Sequence, residues 1–429
     1  MAVNQFSNSK LGDSNYDLII VGGGMVGASL SLLLASRGIR KILIIESQSM
    51  DLSQSSHSSY SSSFDARSTA LSWTSRNIYQ SIGIWEQLEK NLSRIDQIHV
   101  SDRHHGGLTR MTASDEGIDA LGYVVENAWL GSILIDQLKK SDVDVLSQTQ
   151  VVKLTPLKNG VEVKVHGTSS SPDQIMNTIS ANLIVIADGA QSKTARKIGI
   201  RTTSTDYKQH AIIANIRLQK SHSGIAYERF TDQGPMALLP LPDSAGEHRG
   251  ALVWVVPQES SGDLMRLPDN SFLDKLQSRF GYRGGYFERV GERSSYPLTL
   301  RLSNEQVRRN LIIMGNAAHS LHPVAGQGFN LSLRDANSLA NTLEGAQRRG
   351  ESIGSLDVLE RYTESQRIDQ RNTVYFSDNL TKFFSGSSAT VATIRNFGLL
   401  GFDLFPPLRH QVARFGMGLA ASGARHERI

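Results

Sequence analysis

The sequence contains no cysteine among its 429 residues. That absence excludes disulfide bonds, thiolate catalysis, iron–sulfur clusters and cysteine zinc sites, so any redox chemistry must reside in a bound cofactor. The sequence also lacks an uninterrupted apolar run of the ~18 residues that a membrane-spanning helix needs. Residues 1–14 are polar and lack the apolar middle of a signal peptide. These absences predict a protein that folds and stays in the cytoplasm.

An excess of charge of one sign is also missing, because 45 basic residues stand against 41 acidic ones and the formal net charge is only +4. Without a basic stripe or a nucleic-acid-binding motif, no nucleic-acid partner is expected. The small basic excess is a weak indication of peripheral contact with the anionic inner face of a membrane. The chain length suits two intertwined domains with an extension.

The N-terminal part of the sequence has a strand–helix–strand pattern of about 30 residues. Residues 16–21 are an apolar run that predicts a buried parallel strand, and residues 25–37 predict a helix packed on a sheet. Residues 41–45 predict a second buried strand, which Glu46 closes. The pattern is typical of a domain that binds a dinucleotide.

Gly22, Gly24 and Gly27 match the motif G-x-G-x-x-G directly after the first strand. The first glycine permits a tight turn, the second lets the backbone approach a pyrophosphate, and the third lets the helix pack close to the strand. The helix N-terminus attracts phosphate, and Glu46 stands where a carboxylate accepts ribose hydroxyls. The glycines alone also fit a simple tight turn. With both strands and Glu46 they predict a site for NAD or FAD.

Further along the chain, strand patterns give way to helical ones. Asn159-Gly160 lies between two strand-like runs and predicts a hairpin. Residues 310–315 predict a buried strand that returns to the first sheet. Several β-like runs in residues 207–296 predict a substrate-facing sheet, and the chain after Asp335 predicts helices.

Two further motifs decide which nucleotide is bound. The first is Asp188-Gly189, followed by Arg196, and the second covers residues 315–335. With these motifs the sequence resembles the flavin-dependent aromatic hydroxylases of the para-hydroxybenzoate hydroxylase group. The likeness is strongest to their ubiquinone-biosynthesis branch, whose members include hydroxylases of 2-polyprenyl-6-methoxyphenol. Supporting segments are residues 64–67, 99–103 and 228–231.

The resemblance implies an α/β fold in which a Rossmann-like FAD-binding domain is interleaved with a mixed β-sheet substrate domain, followed by C-terminal helices. The FAD-binding parts are predicted at residues 1–98, 126–206 and 297–345. The substrate-domain parts are predicted at residues 99–125 and 207–296, and the helical region at residues 346–429.

The resemblance also implies which residues contact FAD beyond the first glycines and Glu46. Asn316 departs from the aspartate of most of the superfamily but matches the methoxyphenol hydroxylases, and Ser332 stands where the signature has glycine. Pro323 fixes φ, while Gly326 and Gly328 let the backbone approach a flat ring. The implied contacts are Arg67, Asn127, Asp188, Asn316, Pro323, Gly326, Gln327, Gly328, Phe329 and Asn330.

The reaction implied by the resemblance is a monooxygenation. NAD(P)H docks transiently, reduces FAD and departs, and the reduced flavin captures O₂ as a C4a-hydroperoxide that attacks a prenylated methoxyphenol. Other proteins of ubiquinone biosynthesis are implied as partners. The sequence does not identify a catalytic base; candidates in the substrate sheet are His210, Tyr227 and Arg229.

Alternatives from other classes stay open at this point. Another flavin monooxygenase would share the motifs, and residues 252–257 partly match the halogenase motif W-x-W-x-I-P, although Leu252 replaces its first tryptophan. A non-catalytic, flavin-bearing scaffold of a quinone-synthesis complex is the third alternative. His319 and His322 lack further ligands at suitable spacing, so no metal is expected. Residues 389–421 fit either a membrane-interface segment or packing against the main body.

Overall fold

The computed structural model of the protein describes residues 15–50, 67–103, 108–168, 177–321 and 326–385. The strands of these residues are, in chain order, β1 (Asn15–Val21), β2 (Ile42–Ile45), β3 (Ser68–Ser72), β4 (Leu92–Ile95), β5 (Gln97–Asp102), β6 (Leu108–Thr112), β7 (Gly122–Glu126), β8 (Asp144–Leu146), β9 (Thr149–Leu157), β10 (Gly160–Gly167), β11 (Asn177–Ile186), β12 (Thr202–Leu218), β13 (Ile225–Thr231), β14 (Gly234–Ser244), β15 (Glu247–Pro257), β16 (Phe287–Val290), β17 (Ser294–Ser303), β18 (Val307–Arg308), β19 (Leu311–Ile313) and β20 (His319–Ser320). The α-helices are α1 (Met25–Ser36), α2 (Trp73–Ser81), α3 (Trp85–Leu88), α4 (Ala113–Glu116), α5 (Asn127–Lys140), α6 (Lys193–Lys197), α7 (Gln258–Arg266), α8 (Asp269–Phe280), α9 (Gln327–Arg348) and α10 (Leu356–Ser385).

The first sheet has the strand order β18-β19-β11-β1-β2-β8, and the β9–β10 hairpin extends it through a pairing of β10 with β11. Strands β19, β11, β1, β2 and β8 are parallel. Ile184 lies opposite Leu311, which confirms that residues 310–315 return to the first sheet. The hairpin predicted at Asn159 and Gly160 is confirmed as well.

The central strands of the first sheet are apolar on both faces, so each face must be covered by other elements. Helices α1, α5 and α9 cover one of these faces. Leu30 and Leu33 of α1 and Leu130 of α5 are fully buried in the core that includes Ile20 of β1. Burial of a side chain of this size contributes ~1.5–3 kcal/mol. The packing holds the start of α1 at the carboxyl ends of the parallel strands, where open α/β sheets bind their ligands.

The second sheet has the order β20-β17-β12-β15-β14-β13-β5-β6, with β16 beside β12. Its side chains alternate between two faces. One face, here called the helical face, carries Ile212 and Trp254 and is covered by α7 and α8. The other, here called the inner face, carries Ala226 and Ala251, which pack against Val124 of β7. The inner face is therefore turned toward the first domain.

A small sheet of β3, β7 and β4 joins the two domains. Val125 of β7 belongs to the core of the first sheet, whereas the neighbouring Val124 packs with the inner face. Within the predicted substrate segment 99–125, β6 belongs to the second sheet and most of β7 to this small sheet. The second sheet also includes residues before 207, because β12 begins at Thr202. The domain boundaries stay predictions.

Residues 336–385 are helical apart from the connection at residues 349–355, as predicted for this part of the chain, and α9 packs between α1 and α10. Nε and Nη2 of Arg334 in α9 donate to the carboxylate of Asp369 in α10 at 2.6 and 3.0 Å, and this pair is buried. None of the helices in the described ranges is both long and apolar enough to cross a membrane. The tail at residues 389–421 lies outside them. The two interleaved sheets and the helices that follow them confirm the predicted α/β class.

Candidate functional site

The turn between β1 and α1 has the geometry that its glycines predict. Gly22 adopts a φ of +108°, and a Cβ there would lie 2.5 Å from the carbonyl oxygen of Ala187. A Cβ on Gly27 would lie 1.9 Å from the carbonyl oxygen of Gly22, so α1 approaches β1 closely. Gly24 is different, because no atom lies within 4 Å of the position of its Cβ. It lines a cavity instead.

The N-terminus of α1 offers backbone donors to that cavity. Gly24 is the N-cap residue, no side chain caps the helix, and its first turn contains no acidic residue. The first N–H groups of an α-helix have no partner inside the helix and carry partial positive charge. This end of α1 can therefore bind the negative charge of a pyrophosphate.

Glu46 is held at the end of β2 by two backbone donors. Its Oε2 accepts a hydrogen bond from the N–H of Gly23 at 2.7 Å, and its Oε1 accepts one from the N–H of Gln48 at 2.7 Å. Oε1 also accepts a hydrogen bond from the hydroxyl of Ser47 at 3.2 Å, whereas Oε2 can accept a second bond. Glu46 lines the cavity with acceptor capacity left for ribose hydroxyls.

Asp188 lies opposite, after β11. Its Oδ2 accepts a hydrogen bond from the N–H of Thr194 at 3.2 Å, while its Oδ1 is buried and has no partner in the described part of the chain. Buried acceptors without a partner are rare and point to a missing ligand or water. Asp188, which lines the cavity, therefore has acceptor capacity for a ligand bound there.

These residues meet around one cavity of about 690 Å³. Sequence reasoning missed Lys193 and Thr194, which also line it. The sequence feature that could have identified them is their position in α6, the short helix that follows Asp188, where Lys193 adds positive charge. Predicted residues that line this cavity are Gly22, Gly24, Glu46, Asp188, Asn316 and Phe329.

The start of α9 contains the second glycine motif. Gly326 has φ of +62°, and a Cβ there would lie 3.1 Å from Cβ of Ala70. Gln327 is buried, and its Oε1 has no partner among the described residues. Ser332 replaces the expected glycine without disturbing the helix, because its hydroxyl donates to the carbonyl of Gly328 at 2.9 Å. Pro323 lies outside the described residues.

Asn330 fastens α9 to the strand and helix beneath it. Its Oδ1 accepts hydrogen bonds from the N–H of Ser72 and the hydroxyl of Ser75 at 2.9 and 2.6 Å. Its Nδ2 donates to the carbonyls of Ala70 and Gly326 at 2.8 Å each. Four protein partners occupy the amide, so its geometry indicates that Asn330 positions α9. The predicted direct contact with FAD is still untested.

Replacement of Asn330 by alanine is expected to lower the free energy of unfolding by about 2–4 kcal/mol, because the buried N–H of Ser72 and the hydroxyl of Ser75 lose their acceptor. Urea unfolding of the FAD-saturated protein measures this loss. Asn379→Ala is the matched control, since the amide of the exposed Asn379 donates only to the carbonyl of Tyr375 within α10. Equal stability of the two variants would contradict the positioning role.

Arg67 and Asn127 lie beside the cavity. The Oδ1 of Asn127 accepts a hydrogen bond from Oγ1 of Thr69 at 2.6 Å, and Thr69 lines the cavity. The N–H of Asn127 donates to the carbonyl of Arg67 at 2.7 Å. Nη1 of Arg67 lies 3.5 Å from the hydroxyl oxygen of Tyr296 in β17. Arg67 therefore connects the nucleotide half with the second sheet.

The structure does not bring the three candidate catalytic residues to this cavity. Tyr227 packs with the core of the helical face, and the strand register places Arg229 and His210 on the same face. Nδ1 of His210 lies 3.0 Å from Oγ of Ser295. Their catalytic roles stay predictions, and the geometry gives them no support.

Glu228 is the residue that sequence reasoning missed on the inner face. In the sheet it lies opposite Ala237, which in turn lies opposite Val253. Burial raises the pKa of Glu228 to about 7, and no charge in the described part of the chain offsets that effect. Strand alternation could have identified it, because the neighbouring side chains of Glu228 and Arg229 must point to opposite faces of the sheet.

His319 takes part in a buried network and contacts no other histidine in the described ranges. Its Nε2 lies 2.7 Å from Oδ2 of Asp335, whose Oδ1 accepts a hydrogen bond from Nε2 of Gln370 at 3.0 Å. The network ties β20 to α10 through Asp335 in the third turn of α9. His322 lies outside the described residues.

Comparison with known proteins agrees with this geometry. A family model described as "FAD binding domain" matches residues 15–376. Ubiquinone hydroxylase UbiL of Rhodospirillum rubrum is 32% identical over 97% of this chain and 93% of its own. Ubiquinone biosynthesis monooxygenase COQ6 of Homo sapiens is 28% identical over 94% of this chain and 92% of its own.

The fold is shared with the crystal structure of p-nitrophenol 4-monooxygenase PnpA from Pseudomonas putida. The TM-score is 0.76 at 18% identity, over 97% of this chain and 100% of that one. The cavity fits FAD, because a helix N-terminus, the Glu46 carboxylate and the unpartnered Oδ1 of Asp188 surround it. The chain therefore belongs to the FAD binding domain family and is an FAD-dependent monooxygenase.

Proposed function

We propose that this protein hydroxylates the aromatic ring of a polyprenylated methoxyphenol in ubiquinone biosynthesis, with NAD(P)H as reductant and O₂ as the source of the oxygen atom. The observation that carries the proposal is the match over nearly the whole chain to relatives named for that pathway, UbiL and COQ6. Support also comes from a cavity built for FAD at the carboxyl ends of the parallel strands.

FAD, when bound, supplies hydride uptake from NAD(P)H and activation of O₂. The protein's own groups hold and polarise it. The start of α1 would hold the pyrophosphate, and Glu46 would hold the ribose. The first turn of α9 contains no acidic residue and no side-chain cap, so its N–H groups would stabilise negative charge on a reduced ring.

The inner face of the second sheet supplies the surface against which an aromatic substrate would lie. Its side chains near the Arg67–Tyr296 contact are mostly apolar, among them Ala211 and Val255. An apolar surface favours exclusion of water, which the reaction requires. On the same side, the hydroxyl of Tyr207 donates to Oδ1 of Asp378 at 2.7 Å and joins β12 to α10.

Glu228 is the proton acceptor that this proposal assigns to the substrate. A phenol reacts with an electrophilic oxygen faster as its phenolate, so a base at the hydroxyl accelerates the step. A carboxyl whose pKa burial raises to about 7 is matched to that task near neutral pH. Glu228 accepts the phenolic proton on its carboxylate and returns it after the ring is hydroxylated.

Incubation of the purified FAD-bound protein with a short-chain prenyl methoxyphenol, NAD(P)H and isotope-labelled O₂ is expected to give a product heavier by one labelled oxygen atom. Mass spectrometry measures the product, and parallel reactions with NADH and NADPH identify the reductant. The unprenylated methoxyphenol is the matched control and is expected to react more slowly. NAD(P)H oxidation that the substrate does not stimulate would support a scaffold instead, and a halide-dependent product would indicate a halogenase.

A further inference from the structure

Arginines gather on the helical face of the second sheet, where its last strands β13, β5 and β6 lie. Arg103 and Arg279 share Oδ1 of Asp232 at 3.3 and 2.7 Å. Asp102 interacts electrostatically with Arg229, and Asp232 forms an ion pair with Arg103. The set, here called the arginine cluster, consists of Arg103, Arg110, Arg229, Arg279 and Arg283.

The cluster concentrates more positive charge than its own acidic residues offset. Nε of Arg229 is buried without a partner in the described part of the chain. Nη1 of Arg283 lies 3.3 Å from Nε2 of His99. Burial together with Arg283, Arg110 and Arg229 lowers the pKa of His99 to about 4, so the imidazole stays neutral among them. An anion placed beside these arginines would relieve the repulsion among them.

Two exposed aromatic rings lie directly beside the cluster. Tyr282 and Tyr286 are 64% and 56% exposed, and their ring centroids are 5.1 Å apart. The segment that carries them is held in place, since Nε2 of Gln277 donates to the carbonyls of Gly281 and Gly285. The two rings are therefore presented to solvent by a fixed backbone.

The hydroxyl of Tyr227 also ties this segment to the sheet, because it donates to the carbonyl of Arg283 at 3.3 Å. A Cβ on Gly281 would come within 3.7 Å of the guanidinium of Arg229, which shows how closely the segment passes the cluster. Tyr227 and Arg229, which lie away from the FAD cavity, thus belong to one continuous cationic and aromatic surface.

We propose that the arginine cluster with Tyr282 and Tyr286 is a docking surface for an anionic lipid bilayer. The phosphates of lipid headgroups bind between Arg110, Arg229 and Arg283, and the two tyrosines lie in the interface. Charge complementarity favours an anionic occupant. The rings favour a bilayer over a free phosphate, because an amphipathic aromatic side chain is stabilised at a membrane–water interface. The inference goes beyond the proposed reaction and needs no substrate for its test.

Sedimentation of the full-length FAD-bound protein with vesicles tests the surface. Vesicles of phosphatidylcholine mixed with phosphatidylglycerol are expected to bind the protein, whereas pure phosphatidylcholine vesicles are not. The double variant Arg110→Glu/Arg283→Glu is expected to bind at least about tenfold more weakly. The double variant Tyr282→Ser/Tyr286→Ser, which keeps every charge, is expected to weaken binding severalfold.

The charge-matched control is Arg40→Glu/Arg348→Glu, two exposed arginines of the first domain. It has the same net charge as the cluster variant and is expected to bind like the parent protein. Equal weakening by both charge variants, or undiminished binding by the cluster variant, would overturn the proposal. A site for free phosphate would give a different pair of results: millimolar inorganic phosphate would block vesicle binding, and the tyrosine variant would bind vesicles as well as the parent protein. That pair of results would also overturn the proposal.

Discussion

Replacement of Gly24 by valine is expected to abolish FAD binding and leave the fold intact. Gly24 has extended backbone angles, φ of −64° and ψ of −177°, that any residue adopts. Apart from its chain neighbours, no atom of the described residues lies within 4 Å of the position of its Cβ, so a side chain meets no obstacle from them. It points into the cavity at the N-terminus of α1, where the pyrophosphate must approach the backbone.

The expected loss of FAD affinity is at least ~100-fold, which corresponds to about 2.7 kcal/mol. Flavin fluorescence titration of the apoprotein measures it, and circular dichroism and urea unfolding of the apoprotein report on the fold. Gly131→Ala in α5 is the matched control, since its Cβ also has no neighbour within 4 Å but does not line the cavity. Wild-type affinity of the Gly24→Val protein would refute the assignment of this cavity to the pyrophosphate.

Replacement of Glu228 by glutamine is expected to stabilise the protein at alkaline pH and not at acid pH. Burial raises the pKa of Glu228 from its ordinary 4.5 to about 7, so the folded state holds the proton more tightly than the unfolded chain. The stability that the neutral carboxyl gives is present below about pH 4.5 and is lost as the pH rises to about 7. At about pH 8 the ionised group costs roughly 3 kcal/mol, which the glutamine removes.

Urea unfolding at several pH values measures the difference between parent and variant. Glu360→Gln, which changes an exposed glutamate of α10 in the same way, is the control. The two proteins should converge in stability toward about pH 4.5. A variant that is less stable than the parent at about pH 8 would contradict the burial of an unpaired carboxyl.

The same substitution tests the catalytic proposal independently. If Glu228 accepts the phenolic proton, Glu228→Gln is expected to lower kcat by about 10²–10⁴-fold and to remove the rise of rate with pH around 7. The rate of flavin reduction by NAD(P)H without substrate is expected to stay unchanged. An unchanged kcat together with the stability gain would leave Glu228 as a buried structural carboxyl and remove it from the reaction.

Local features of the sequence sufficed to predict several residues that the structure places around the cavity, while their contact with FAD stays a prediction. Gly22, Gly24, Gly27 and Glu46 could be placed because a strand, a glycine turn and a helix fix their own geometry within about 30 residues. Asp188 was found through a short motif that also follows a strand. These predictions depend on neighbours in the chain, so their geometry follows from local backbone rules.

The substrate half could not be placed in this way. His210, Tyr227 and Arg229 were chosen by residue type, but which face of a sheet a side chain occupies depends on register and on what packs against each face. Helices α7 and α8 cover the face that carries these three residues, and Glu228 is left on the inner face. That choice depends on contacts between segments far apart in the sequence.

The sequence by itself determined the absence of thiol chemistry, the glycine turn between β1 and α1, and the α/β order of the elements. Only the tertiary structure decided that the Asn330 amide makes four hydrogen bonds to the protein and that Oδ1 of Asp188 has no partner among the described residues. It also brought the arginines together beside two exposed tyrosines. The physical reason is that hydrogen-bond satisfaction and local charge are properties of the assembled packing, whereas turns and helix starts are properties of the chain itself.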